Sequence, residues 1–150
     1  MKAAVQRGDL DHNPYLFWNA FVHLLGTAAL EEFEDNQRPA HLAFCYDAEV
    51  QNGGHQQFFE NRPHNLLDET IRALDVIGAS GQASILHRAA ERWKEKARRR
   101  PRTVKEYVAD SMEMEFSDLD KAYYAASPTV TELLERLLDK HADDFLEVIG

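Results

Sequence analysis

At 150 residues and 44% hydrophobic content, the chain is long enough to bury a core as one domain and too apolar to be disordered throughout. Its single cysteine, Cys45, excludes an internal disulfide and a Cys-rich zinc site, and its formal net charge of -9 disfavours general binding to nucleic acid. The charge is uneven: segment 88–105 holds nine Lys/Arg against two Glu, about +7, which leaves about -16 for the rest.

The first eleven residues are short and polar, no secretion leader, and no apolar run approaches the about 20 residues that span a bilayer. A cytoplasmic protein without a membrane partner is expected. Asn13-Pro14 reads as a helix start, with Asn as N-cap and Pro at the first helical position. Trp18, Phe21, Val22, Leu25 and Ala29 follow at helical spacing, with Phe33 one turn on. Glu31, Glu32, Glu34 and Asp35 then crowd a helix C-terminus, where they oppose the macrodipole.

Arg38-Pro39 opens the next helix, which carries Leu42, Ala43, Phe44, Tyr46 and Val50 up to Asn52-Gly53-Gly54. Asn and Gly tolerate positive φ, so two helices are expected to meet at this break with Gly53 or Gly54 as the left-handed residue. Apolar pattern resumes with Phe58 and Phe59. Glu49, Asn52, Gln57 and Asn61 flank the break, spaced so that they can face one another. Beside two Phe rings such polar groups are expected to be part-buried and hydrogen-bonded, a clamp around the Gly-Gly turn.

Arg62-Pro63-His64-Asn65 reads as a turn with Asn65 as a cap, followed by a helix bearing Leu67, Ile71 and Leu74 and stopped by Gly78. After a Ser80-Gly81 turn, Leu86, Ala89, Ala90, Trp93 and Ala97 define another amphipathic helix with the basic run at its far end. Thr103 can cap a helix whose polar face, with the residues beyond, carries Glu106, Asp110, Glu113, Glu115, Asp118 and Asp120. Ser127-Pro128-Thr129 is a break. Leu133, Leu134, Leu137 and Leu138 form a helix with Glu132, Glu135 and Asp139 outward, and a final short helix turns Asp143, Asp144 and Glu147 outward while offering Phe145, Leu146, Val148 and Ile149 for burial. No stretch alternates with period two. The fold class is therefore all-α, a compact single domain of about six to eight short helices.

Glu49-Val50-x-Asn52-Gly53-Gly54-x-x-Gln57-Phe58-Phe59-x-Asn61, followed by Ile77-Gly78-Ala79, resembles the signature of a small bacterial family, the DNA mimic protein 19-like proteins. Leu119-Asp120-x-x-Tyr123-Tyr124 and His141-x-x-Asp144-Phe145 also fit, so the resemblance covers most of the chain. The family mostly has Phe directly after Asn-Gly-Gly; here it is His55. The resemblance implies a dimer that binds a transcriptional regulator and keeps it off its operator. Of the acids above, only Asp120 and Asp144 lie in matched motifs.

Chemistry of other kinds has little support. None of the seven histidines makes His-x-x-x-His or His-Glu-x-x-His, so no metal or other cofactor is implied. Gly-x-Ser-x-Gly and a phosphate-binding Gly-Lys-Ser/Thr loop are absent, and Cys45 has no evident base in the sequence. The chain is read as not an enzyme. The leading expectation is an acidic interaction module whose carboxylates imitate spaced backbone charge and so occupy a DNA-binding or other basic protein. The partner-binding candidates are Glu106, Asp110, Glu113, Glu115, Asp118, Asp120, Glu132, Glu135, Asp139, Asp143 and Asp144. Two alternatives remain: a small-ligand or catalytic site at the Asn-Gly-Gly turn, and an immunity or antitoxin-like protein that neutralises a basic toxin.

Overall fold

The computed structural model describes residues 1–98 and 116–150. Within them the chain runs β1 (Ala3–Gln6), α1 (Leu16–Thr27), α2 (Arg38–Asn61), α3 (Leu67–Val76), α4 (Ser80–Arg98), α5 (Ser117–Ala125), α6 (Val130–Phe145) and β2 (Leu146–Ile149), with short 3-10 turns between several of them. The molecule is predominantly α-helical. Helix α2 is its axis: α1, α3, α4, α5 and α6 all pack on it. Its buried positions, among them Ala43, Tyr46, Val50, Phe58 and Phe59, belong to one cluster with Phe21 and Leu25 of α1, Leu74 of α3, Leu86 of α4, Leu119 of α5 and Phe145 of α6. Phe21 and Phe145 meet edge to face at 4.9 Å, which ties α1 to the end of α6.

The helix ends follow local chemistry. Pro39 lies in the first turn of α2, where its missing N–H costs no hydrogen bond. Gly78, at φ +92°, ends α3 in a Schellman motif: its N–H reaches the Asp75 carbonyl, and the Ala79 N–H reaches the Leu74 carbonyl at 2.7 Å. Thr129 and Glu132 form a reciprocal capping box at the start of α6.

Several expectations need correction. The segment read as a final short helix is not one: α6 runs on through a kink at His141 to Phe145, and Leu146–Ile149 is strand β2. It pairs in parallel with β1, Val5 opposite Val148. Each strand has four residues, too few for alternation to register, and the partner lies at the other end of the chain. Helix α1 begins at Leu16, not at Asn13-Pro14. The Asn13 side chain accepts instead from the Tyr15 N–H at 3.0 Å and shapes the preceding turn. The same helix ends at Thr27, so Glu34 and Asp35 do not oppose its dipole; they lie just ahead of the N-terminus of α2, where negative charge is favourable. Asn65 caps nothing, because a 3-10 turn over His64–Leu66 leads into α3. Ser80-Gly81 is the first turn of α4 rather than a separate turn. The helix expected after Thr103 lies outside the described residues.

One buried polar residue had no signal in the sequence. Gln37, only 2% exposed, donates to the carbonyls of Met1 at 2.6 Å and Asp144 at 2.7 Å, while its Oε1 accepts from the Glu34 N–H at 2.9 Å. It joins the start of α2 to the chain just ahead of both strands, and with its capacity met its burial is affordable.

Candidate functional site

The break in α2 is where sequence and structure converge. Gly54 has φ +72° and ψ -173°, a region open essentially to glycine alone, whereas Gly53 has a negative φ, -150°. A Cβ on Gly54 would lie 2.5 Å from Asp120 Oδ2, so glycine is required there both by backbone conformation and by space.

Asp120 anchors the start of the second half of α2. It lies in the first turn of α5, and its Oδ1 accepts from the His55 N–H at 2.9 Å and from His55 Nδ1–H at 2.6 Å. The other ring nitrogen, Nε2, lies 2.6 Å from the Tyr46 hydroxyl. A carboxylate can only accept, so the proton is on Nδ1, and Tyr46 donates to Nε2. Both rings are 0% exposed. Burial pushes the His55 imidazole below its ordinary range, partly offset by Asp120, and raises the Tyr46 phenol well above its own. Two more tyrosines of α5 complete the dock. Tyr123 donates to the Asp47 carboxylate, its phenol raised by burial and by that neighbour, and Tyr124 donates to the Val50 carbonyl at 2.9 Å.

On the other side of the break the four polar motif residues meet as the spacing predicts. Glu49 Oε2 accepts from Gln57 at 2.9 Å and Asn61 at 3.0 Å, its Oε1 accepts from Arg62, and Asn52 donates to Gln57 Oε1 at 3.0 Å. Burial works to raise the Glu49 carboxyl, but the donors from Gln57, Asn61 and Arg62 outweigh it and hold the group below its ordinary value. Phe58 packs edge-on to Tyr46 at 5.1 Å, and Phe59 stacks on Trp93 of α4 at 5.5 Å.

A Tyr–His–Asp chain has the connectivity of a proton relay. Here every polar atom of the two rings is engaged within the protein, and neither ring reaches solvent, so no substrate atom has access. Among the described residues, no group of three His, Cys, Asp or Glu could hold a metal.

The candidate acids separate into two kinds. Asp120 belongs to the junction. Asp118 is exposed but forks onto Arg92 at 2.6 and 2.7 Å, which holds its carboxyl down at about 2. Glu132 is in the capping box, and Asp144, half-buried, lies 3.8 Å from His141 Nδ1. Glu135, Asp139 and Asp143 are exposed along the outer side of α6 and make no hydrogen bond or ion pair with the described residues. Glu106, Asp110, Glu113 and Glu115 lie outside the described residues.

A family model described as DMP19-like protein matches residues 31–141. The chain belongs to the DMP19-like protein family. The match takes in the whole α2 break, its α5 dock and most of α6. Neither a curated protein nor a solved structure matches the chain. Among the described residues, no helix is long and apolar enough to cross a membrane.

The structure also brings together a pair that sequence reading passed over. His41 Nε2 lies 3.7 Å from Cys45 Sγ, one helical turn away. The His41-x-x-x-Cys45 spacing, the i, i+4 relation that puts two side chains on one helical face, was the available signal.

Proposed function

We propose that this member of the family is an acidic interaction module that docks the basic face of a DNA-binding protein in place of DNA. The observation that carries this reading is the outer side of α6. Glu132, Glu135, Asp139 and Asp143 are all exposed, and the last three make no hydrogen bond or ion pair with the described residues. On an ideal helix these residues stand about 4.5–6 Å apart along the axis. That is sparser than, but comparable with, the about 3.4 Å per phosphate of one DNA strand. Uncommitted carboxylates at fixed spacing on a packed helix suit a basic partner because binding needs no internal ion pair to be broken first. A homodimer would present the face twice.

The test is a competition titration with a fluorescent duplex bound to a candidate regulator. The protein should displace the duplex and should not bind duplex alone at physiological salt. Simultaneous binding of protein and duplex to the regulator would contradict mimicry, and equal capture of basic proteins that do not bind DNA would favour a general acid-recognising partner such as a toxin.

A further inference from the structure

A second region has the features of a small-molecule site, away from the acidic face. Between the end of α1, the first half of α2 and the 62–70 segment lies a cavity of about 450 Å³, within the range of ligand pockets. Its walls are mainly apolar: Leu30, Leu42, Phe44, Phe58 and Leu66. Its polar groups are few and concentrated. His41, 9% exposed, donates from Nδ1 to the Leu25 carbonyl at 2.9 Å, which leaves the lone pair on Nε2 with no oxygen or nitrogen partner and only the Cys45 sulfur nearby. Arg62 lines the same cavity. Its Nε and Nη2 are taken by Glu49 Oε1 at 3.2 and 3.1 Å, while Nη1 has no partner among the described residues. Its charge is felt at both His41 and Cys45. A guanidinium braced by one carboxylate oxygen, with Nη1 still able to donate, at the wall of an apolar cavity is suited to receive a carboxylate. Glu31, exposed at the rim, is the opposing charge.

We infer that this cavity binds a small organic acid, its apolar body among the α1 and α2 side chains and its carboxylate on Arg62, with His41 within reach of a second polar atom. A phosphate draws on several donors at once, and here it would find one guanidinium. An amine would have only Glu31 at the exposed edge. The site is separate from the Asn-Gly-Gly turn, where both Glu49 oxygens are already occupied.

Because Cys45 is the chain's single cysteine and lines the cavity, its alkylation by iodoacetamide reports occupancy directly. Three probes share one apolar body: octanoate, octanol and octylamine. Octanoate should slow alkylation and give a saturable calorimetric signal, and octanol and octylamine should do so weakly or not at all. Arg62→Gln should lose the preference for octanoate. Since Arg62 also braces Glu49, Ala48→Trp serves as the independent variant: Ala48 is exposed at the cavity wall, and a larger side chain there should abolish protection by every probe while circular dichroism stays native. Equal protection by all three probes, protection by octanoate that survives Ala48→Trp, no octanoate binding at all, or a thiol that does not react in the folded protein would each overturn the proposal.

Discussion

The α2 break and the outer side of α6 both carry carboxylates, and they use them in opposite ways. At the break, Glu49 accepts through both oxygens from Gln57, Asn61 and Arg62, and Asp120 accepts through Oδ1 from the His55 backbone and ring. On α6, Glu135, Asp139 and Asp143 are exposed and accept from no group among the described residues. The difference teaches how to sort acids in an anionic chain. A part-buried carboxylate that accepts from several donors is committed to the fold, and removing it strands those donors; an exposed and unpaired one costs the fold little and stays available to a partner.

The largest effect should come from Gly54→Val. It combines a φ closed to β-branched residues with a Cβ at 2.5 Å from Asp120, and should lower unfolding free energy by about 3 kcal/mol or more, read by denaturant titration. A loss below about 1 kcal/mol would mean that the junction relaxes at little cost. Asp120→Ala comes next. It leaves the His55 N–H and Nδ1–H without their acceptor inside the protein, an expected loss of about 2–3 kcal/mol.

These two variants also show what the sequence could and could not disclose. The clamp of Glu49, Asn52, Gln57 and Asn61 was legible because its members lie within thirteen residues on two faces fixed by helical period and one glycine break. Asp120 was visible as an acid within a matched motif but not as the partner of His55, which is 65 residues away, a distance that no periodicity encodes. The β1–β2 pair was hidden for the same reason, and Gln37 because a lone Gln has no pattern. The helices themselves, set by local period, Pro39, Gly78 and the Ser127-Pro128-Thr129 break, were largely readable among the described residues, with errors at their ends and in the last segment, where a strand was read as a helix.

Acid should discriminate the two regions as well. His55 and His41 are held neutral by burial, below the ordinary value of 6.5. A base whose folded value is depressed stabilises the fold fully above 6.5, and that contribution is lost as pH falls from there toward the folded value. Glu49 is depressed below 4.5, so its contribution is present above 4.5 and is lost only as pH falls further. Stability should therefore begin to drop from about pH 6.5, before carboxylates titrate. His55→Phe, which installs the family's usual aromatic, should destabilise the protein at pH 7.5 by about 1–2 kcal/mol, since Tyr46 and Asp120 lose their partner. The same variant should show a smaller fall between pH 7.5 and 5.5 than wild type. An unchanged fall would place the acid sensitivity at His41 or elsewhere.

The smallest effect on stability, and the largest on binding, belongs to Glu135→Gln/Asp139→Asn/Asp143→Asn. Thermal and denaturant unfolding should stay within about 0.5 kcal/mol of wild type, because these exposed carboxylates make no hydrogen bond or ion pair with the described residues.

The most direct measurement compares wild type with that triple variant in affinity for one basic DNA-binding partner across a salt series. If the uncommitted carboxylates of α6 form the docking face, wild-type affinity falls steeply with salt, whereas the variant binds more weakly and with a shallower dependence. Equal affinities and equal salt slopes in two equally folded proteins would contradict the division between a hydrogen-bonded junction and an available acidic face.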